Sequence, residues 1–352
     1  MQTTAEIQFE EIPGEEGNIG LITLTRPQAL NALSLNMIRA LDRQLAIWGT
    51  SSTITAVIIR AAKGRAFCAG GDIRAMYERK LANDPTMPAF FHEEYQLNRR
   101  IFHFPKPYIA LLDGITMGGG AGISLHGSHR IATENLLFAM PETGIGFHPD
   151  IGASYFLSRL GNCIGIYLGL TGARIAYNDC LELGLVDHVM TPDSQDQFIQ
   201  VLAESFIPNK MAVTEVIKQF EIDVPPSTLL MQRIEIDNHF SKNNIEDIFK
   251  SLTNSNSEWC KTTAEILRKK SPTSLKVTLQ ELAEAVNFDF DTCMQMEYRL
   301  TMRFIKGHDF FEGVRAVLID KDQRPQWKPA TLQGVTSDDV AEYFAPLVKE
   351  LV

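Results

Sequence analysis

Three loops of this chain hold residue types that acyl-transfer chemistry needs. The first is Lys63-Gly-Arg-Ala-Phe-Cys-Ala-Gly-Gly-Asp72. Two adjacent glycines stand before an Asp and lead toward a helical pattern. Such a turn can aim free backbone N–H groups at one point and hold an anion or a developing oxyanion. An ordinary strand-to-helix loop with Asp72 as N-cap explains the same residues. The second loop is Asp113-Gly-Ile-Thr-Met-Gly-Gly-Gly-Ala-Gly122. It resembles a dinucleotide loop, with Glu142 about 20 residues on as that fingerprint asks. The glycine register fails, because Ile123 and Leu125 stand where the third glycine belongs. A serine-hydrolase elbow at Gly122-Ile-Ser124-Leu-His126 lacks its closing glycine, so Ser124 and His126 read as helix-packing residues. The third loop runs from Phe138 to Gly152 and carries Glu142 and Asp150 among glycine, proline and apolar residues. Carboxylates in such surroundings shift in pKa and suit base, acid or nucleophile work. One helix cap and one turn residue would account for an isolated pair. The apolar strand just before this loop favours chemistry.

The elements that must position these loops are legible in outline. Asn18 to Thr25 alternates apolar and polar residues, as a half-buried strand does. Ser34 reads as an N-cap, followed by Ile38, Leu41, Leu45 and Trp48 at helical spacing. Ile54–Ile59 and Tyr108–Leu112 read as buried strands, with an amphipathic helix over Phe90–Phe102 between them. Short strands follow near Ile131 and Leu137, and Val186–Met190 is a last strand. From about Asp193 glycines thin out. Helical patterns take over at Pro192–Phe206, Ser257–Lys270, Pro272–Val286 and Thr292–Ile305. Ser271-Pro272 is a helix start with proline in the first turn. The expected division is an α/β core over 1–200 and a helical extension over 201–352 that packs on it.

Composition limits the partners. The 352 residues carry a formal net charge of −10, which argues against nucleic acid, since that needs a basic face. No run approaches 18 uninterrupted apolar residues, so no membrane partner is expected. The first 17 residues hold five glutamates and no Lys or Arg, unlike a signal or transit peptide. Cys68, Cys163, Cys180, Cys260 and Cys293 are odd in number and scattered, with no metal-ligand spacing. Reduced thiols in a cytoplasmic protein, without a metal, are the expectation.

Together the three loops resemble the crotonase superfamily. Met-Pro-Glu142-Thr with Pro149-Asp150, Phe91-His-Glu-Glu94-Tyr, Ser271-Pro-Thr-Ser-Leu-Lys276 and Gly307-His-Asp-Phe-Phe-Glu-Gly-Val-Arg-Ala-Val-Leu-Ile-Asp-Lys-Asp322 narrow it to the 3-hydroxyisobutyryl-CoA hydrolase branch. The match covers nearly the whole chain. It implies an α/β fold, a spiral of β-β-α units with a C-terminal helical extension, where strand count alone offers a doubly wound sheet. It implies a short 3-hydroxyacyl-CoA thioester as substrate and its hydrolysis, a step of valine breakdown. No further cofactor is implied, coenzyme A being part of the substrate. By matched position the N–H groups of Gly71 and Gly119 would form the oxyanion hole. Ala69 and Gly70 would lie along the coenzyme A, beside Asp72. Glu142 would be the principal catalytic carboxylate, and Asp150 and Glu94 would line the acyl pocket, with Asp150 placed for the 3-hydroxyl.

Two departures bear on that reading. Hydratases of the superfamily use a second glutamate three residues after the second glycine of the Gly118–Gly120 run, and Gly122 stands there. The departure argues against a hydratase and for a hydrolase; an enoyl-CoA isomerase or hydratase of the same fold stays the alternative, since one carboxylate can shuttle a proton alpha to a thioester. Retention of Glu142 and Asp150 argues against an inactive acyl-CoA-binding protein. His148 replaces the aromatic residue usual before Pro-Asp; it either tunes Asp150 or is a tolerated loop substitution. Coenzyme A is polyanionic, and Arg26, Lys63, Arg65 and Arg74 flank its expected nucleotide side. Crotonase folds commonly trimerise, so the resemblance offers two alternatives: a second copy of this chain as partner, or a helical extension that covers that surface.

Overall fold

The computed structural model describes residues 6–207 and 209–351. The chain forms two compact units that interleave in sequence. The first comprises Met1–Asp72, Gln96–Phe138 and Ile175–Thr228, and the second Ile73–Tyr95, Ala139–Arg174 and Leu229–Val352.

The first unit carries the strands β1 (Ile7–Ile12), β2 (Asn18–Leu24), β3 (Ile54–Ala61), β4 (Ala66–Cys68) and β5 (Tyr108–Leu112). After them come β6 (Ile115–Met117), β7 (His129–Ala132), β8 (Leu137–Ala139, its last residue in the second unit), β9 (Ile175–Ala176) and β10 (His188–Val189). One sheet has the order β1-β2-β3-β5-β7-β10 and the other β4-β6-β8-β9. Successive strands alternate between them: β3 then β4, β5 then β6, β7 then β8. That alternation is the expected spiral, in place of a doubly wound sheet. β2, β3, β5, β7 and β10 pair in parallel, while β1 closes the edge antiparallel to β2. The unbroken apolar run of β5 is buried throughout, as parallel central strands require. On the edge strand, Ile7 and Phe9 are buried while Gln8 and Glu10 face water. The helix Leu35–Thr50 starts at Ser34, whose Oγ accepts from the Met37 N–H, and buries Ile38, Leu41, Leu45 and Trp48.

The expected boundary near 200 does not coincide with the division into units. Phe198, Ile199 and Leu202 of the helix Gln195–Ala203 and Val213, Val216 and Ile217 of the helix Lys210–Ile217 pack with Ile19, Ile58, Ile109 and Ile131 of the large sheet. That apolar layer keeps the chain in the first unit as far as Thr228. The helical remainder, in turn, shares its unit with Ile73–Tyr95 and Ala139–Arg174. Its helix Pro272–Ala285 starts at Ser271 as expected, with Ser271 Oγ accepting from the Ser274 N–H. The next helix, Phe290–Phe304, starts two residues before the expected Thr292, because Asp289 caps it by accepting from the Thr292 N–H. No helix among the described residues is long and apolar enough to cross a membrane.

Candidate active site

In the first unit the two glycine turns meet. Gly70 has φ +110°, a conformation that favours glycine, and a Cβ there would stand 3.3 Å from Met117 O and 3.7 Å from Gly119 N. The Leu33 N–H donates to Gly70 O, and the Asp72 N–H donates to Leu33 O. In that parallel pairing the intervening Gly71 N–H points away from the Leu33 segment. Gly119 opens the short helix Gly119–Gly122, so no intrahelical carbonyl can take its N–H. Gly120 packs against β4, where a Cβ would lie 2.2 Å from Cys68 O. The Ala69 N–H is held by Leu30 O at 3.0 Å. Asp72 faces Arg26 at 2.8 Å. Arg26, offered above to offset the coenzyme A charge, is also 3.3 Å from Glu6, so its charge is already matched inside the unit. Lys63 and Arg65 are exposed. Ser124 donates to Gly120 O at 2.7 Å from within the turn, in keeping with a packing role.

The second unit brings the carboxylates together. Glu142 opens a single 3-10 turn after Pro141 and is 7% exposed. Asp150 is 6% exposed, and Glu94, on the helix Met87–Phe102, is 2% exposed. Burial, with the charge of Asp150 second, pushes the Glu142 carboxyl well above the usual carboxylate range. The Lys270 ammonium pulls the other way. Lys270 is itself pushed down to about 8 by burial, against the opposing pull of Glu142. Burial and Asp150 also lift Glu94 well above its ordinary range. Asp150 is raised by burial, and the Tyr95 hydroxyl, donating to Oδ2 at 2.6 Å, opposes the rise. Glu142 Oε2 and Glu94 Oε1 have no hydrogen-bond partner among the described residues. An apolar cluster stands in the same loop: the Phe147 ring centroid lies 5.7 Å from that of Phe91 and 4.8 Å from that of Phe310, both pairs tilted.

The end of the carboxylate loop is anchored. Glu297 accepts from the N–H groups of Gly152 and Ser154 and from Ser154 Oγ, at 2.6, 2.9 and 2.6 Å. Behind Asp150 the Tyr95 hydroxyl lies 2.6 Å from Thr301 Oγ1, and Thr301 Oγ1 lies 2.9 Å from His148 Nε2. His148 Nδ1 then meets Glu281 Oε1 at 3.0 Å.

Of the residues singled out from the sequence, Ala69, Gly70, Gly71, Asp72 and Gly119 thus share the first unit, and Glu94, Glu142 and Asp150 share the second. Sequence reasoning missed Tyr95, Lys270, Thr301, Glu281 and Glu297. Tyr95 closes the quoted motif that begins at Phe91, and Lys270 adjoins the one that begins at Ser271, which was the available signal. Glu281 and Glu297 stand on helices of the second unit, and no quoted motif contains them. No group of three His, Cys, Asp or Glu able to hold a metal occurs among the described residues. A dry carboxylate pair of this kind can take or give protons or attack an acyl carbon.

The family model for enoyl-CoA hydratase/isomerase matches residues 19–344. The chain is 44% identical to the "3-hydroxyisobutyryl-CoA hydrolase, mitochondrial" of Danio rerio, over 97% of this chain and 90% of that one. It is likewise 44% identical to the Homo sapiens protein of that name, over 95% and 88%. A solved carnitinyl-CoA dehydratase from Mycobacterium thermoresistibile matches with a TM-score of 0.91 at 34% identity, over 99% of both chains. An enoyl-CoA hydratase from Rhodobacter sphaeroides 2.4.1 matches with 0.87 at 34%, over 96% and 97%. The cytoplasmic expectation is corrected here, because these hydrolase relatives carry a mitochondrial designation.

Proposed function

The chain belongs to the enoyl-CoA hydratase/isomerase family, and within it we propose that it hydrolyses the thioester of a short 3-hydroxyacyl-CoA, first of all 3-hydroxyisobutyryl-CoA. Coenzyme A and the free hydroxy acid leave, as in a step of valine breakdown, and no further cofactor takes part. The observation that carries this reading is the buried pair Glu142 and Asp150 in one loop, with Gly122 where a hydratase keeps its second glutamate. The near-full-length likeness to hydrolases supports the same choice.

In this mechanism Glu142 attacks the thioester carbonyl carbon. The C–S bond breaks, coenzyme A departs as the thiol after protonation, and a mixed anhydride is left on Glu142. Water then adds to the anhydride and releases the acid. The N–H groups of Gly71 and Gly119 take the roles that the family resemblance gives them, donating to the oxygen that becomes negative. One such donor is worth roughly 10²–10³ in rate at comparable acyl-transfer sites. Asp150 accepts the hydrogen bond of the substrate 3-hydroxyl, so hydroxyacyl chains are preferred over plain acyl chains. Ala69, Gly70 and Asp72 lie along the coenzyme A, and Glu94 borders the acyl group.

A panel of acyl-CoA thioesters with a thiol reagent tests the reaction. Fast thiol release from 3-hydroxyacyl substrates is expected. The names of the two solved relatives favour a second reading, hydration or dehydration of an acyl-CoA; turnover without thiol release would establish it. A single turnover in ¹⁸O-water locates the attack of water. Where water opens the anhydride at the Glu142 carbonyl, the first acid is unlabelled and the label enters Glu142; a labelled first acid excludes that route and places the attack of water on the acyl carbon.

A further inference from the structure

His148 is unused by that chemistry, yet it is fully buried and stacked on Phe304, with ring centroids 5.3 Å apart and planes at 17°. It stands in a chain of four hydrogen bonds: Glu281 to His148 at 3.0 Å, His148 to Thr301 at 2.9 Å, Thr301 to Tyr95 at 2.6 Å and Tyr95 to Asp150 at 2.6 Å. Counting protons fixes its direction. Thr301 and Tyr95 each own one hydroxyl proton. With Asp150 ionised, Tyr95 gives its proton to Asp150 and must accept from Thr301. Thr301 has then spent its own proton and must accept from His148, so Nε2 carries a hydrogen. Nδ1 faces Glu281. Either a protonated Glu281 donates to a neutral ring, or a carboxylate accepts from an imidazolium.

Burial decides between the two. Neither side chain reaches solvent, and an ion pair at that depth loses more hydration than its contact returns. The titratable groups around the pair are Asp150 on the carboxylate loop, Glu297 and Cys293 on the helix Phe290–Phe304, and Glu142 beyond. Burial holds His148 down at about 4 and keeps Glu281 well above the usual carboxylate range, although the charge of Asp150 favours a cationic ring.

We propose that His148, as the neutral Nε2–H tautomer, is a positioning residue for substrate selectivity. It fixes the donor order Glu281, His148, Thr301, Tyr95, Asp150, and so commits the Tyr95 proton to Asp150 and keeps Asp150 an acceptor toward a substrate hydroxyl. This role rests on the reading that Asp150 pairs with the 3-hydroxyl. Without a donor at position 148 the Tyr95–Thr301 bond is free to reverse. Asp150 then loses its donor, takes up a proton and offers the substrate an O–H.

Two measurements test it. In ¹⁵N-histidine-labelled protein, the signals absent from His148→Phe belong to His148; a protonated Nε2 and a bare Nδ1 at neutral pH are expected. An imidazolium or the opposite tautomer overturns the donor order. Kinetics on a 3-hydroxyacyl-CoA and its deoxy analogue give the second readout. Losing one hydrogen bond to a charged group lowers the ratio of the two kcat/KM values about tenfold in His148→Phe and in Thr301→Val. His148→Gln keeps an N–H donor and holds the ratio within about twofold of wild type. Equal losses on both substrates, or a Gln variant no better than Phe at matched Tm, overturn the role. Thr301→Val carries the comparison if His148→Phe does not fold. A wild type without thioesterase activity removes the selectivity role together with the functional reading, while the ¹⁵N spectrum still judges the donor order by itself.

Discussion

Glu94, Glu142 and Asp150 lie in one neighbourhood of the second unit. Burial raises all three, and of the three only Asp150 has a hydroxyl donor on its carboxylate, which opposes the rise. Replacing Asp150 with Asn leaves the size and removes the charge. It should cost about ten- to a hundredfold more on 3-hydroxyacyl-CoA than on the deoxy analogue, as for a hydrogen bond to a charged group. Equal losses in parallel kinetics would remove Asp150 from substrate recognition. Glu142 sets the pH dependence. It attacks only as the carboxylate, and burial lifts its pKa. Turnover is therefore absent while Glu142 is protonated and rises with pH through a value above the ordinary glutamate range. A kcat/KM profile with its acid limb in the ordinary range, or no such limb, counts against this environment. The carboxylate spacing was visible in the sequence. Tyr95 as the donor to Asp150 was not, since only folding places it 2.6 Å from an oxygen 55 residues away.

The glycine turns show what an element contributes beyond its residues. The helix Gly119–Gly122 carries the Gly119 N–H, and its closeness to β4 depends on Gly120 lacking a Cβ. In Gly120→Ala the methyl would meet the Cys68 carbonyl, which is backbone and cannot rotate aside. The helix must retreat and take the Gly119 N–H with it. We expect roughly a 10²-fold loss of kcat/KM, the scale of a 1 Å misplacement. A stability loss of about 1–3 kcal/mol should accompany it, as for overpacking. Steady-state kinetics and a thermal melt check both numbers, and a variant with native rate would separate the Gly119 turn from catalysis. Run and cap signals made such elements readable. Ser34, Ser271 and the apolar runs of β3 and β5 act over a few residues, and the structure keeps them. The Thr292 helix start was misplaced because Asp289 reaches over it as a cap.

At the scale of the molecule, several buried acids make stability depend on pH in the sense opposite to ordinary acid unfolding. Glu94, Glu142 and Glu281 are held well above the usual range when folded and return to it when unfolded. Between those values the folded state binds more protons, so stability is full below the ordinary glutamate pKa and falls as pH rises. Glu281→Gln deletes one such group while keeping a donor for His148. Its stability relative to wild type should improve by at least about 1 kcal/mol between roughly pH 5 and pH 8. Melts or denaturant titrations at the two pH values measure this, and a constant difference would show Glu281 ionised throughout. The sequence by itself determined the local pieces: the strands, the capped helices, the glycine turns and the Glu142–Asp150 spacing, each written over a few neighbouring residues. Its motifs also carried the resemblance from which the spiral followed. Only the tertiary structure decided the two interleaved units, because the helices after residue 195 follow the apolar face of the large sheet and ignore a change in composition. It alone decided the chain behind Asp150, whose links join residues 55, 206, 153 and 133 positions apart. Hydrogen-bond partners at such separations are selected by packing, and no local pattern of residue types encodes them.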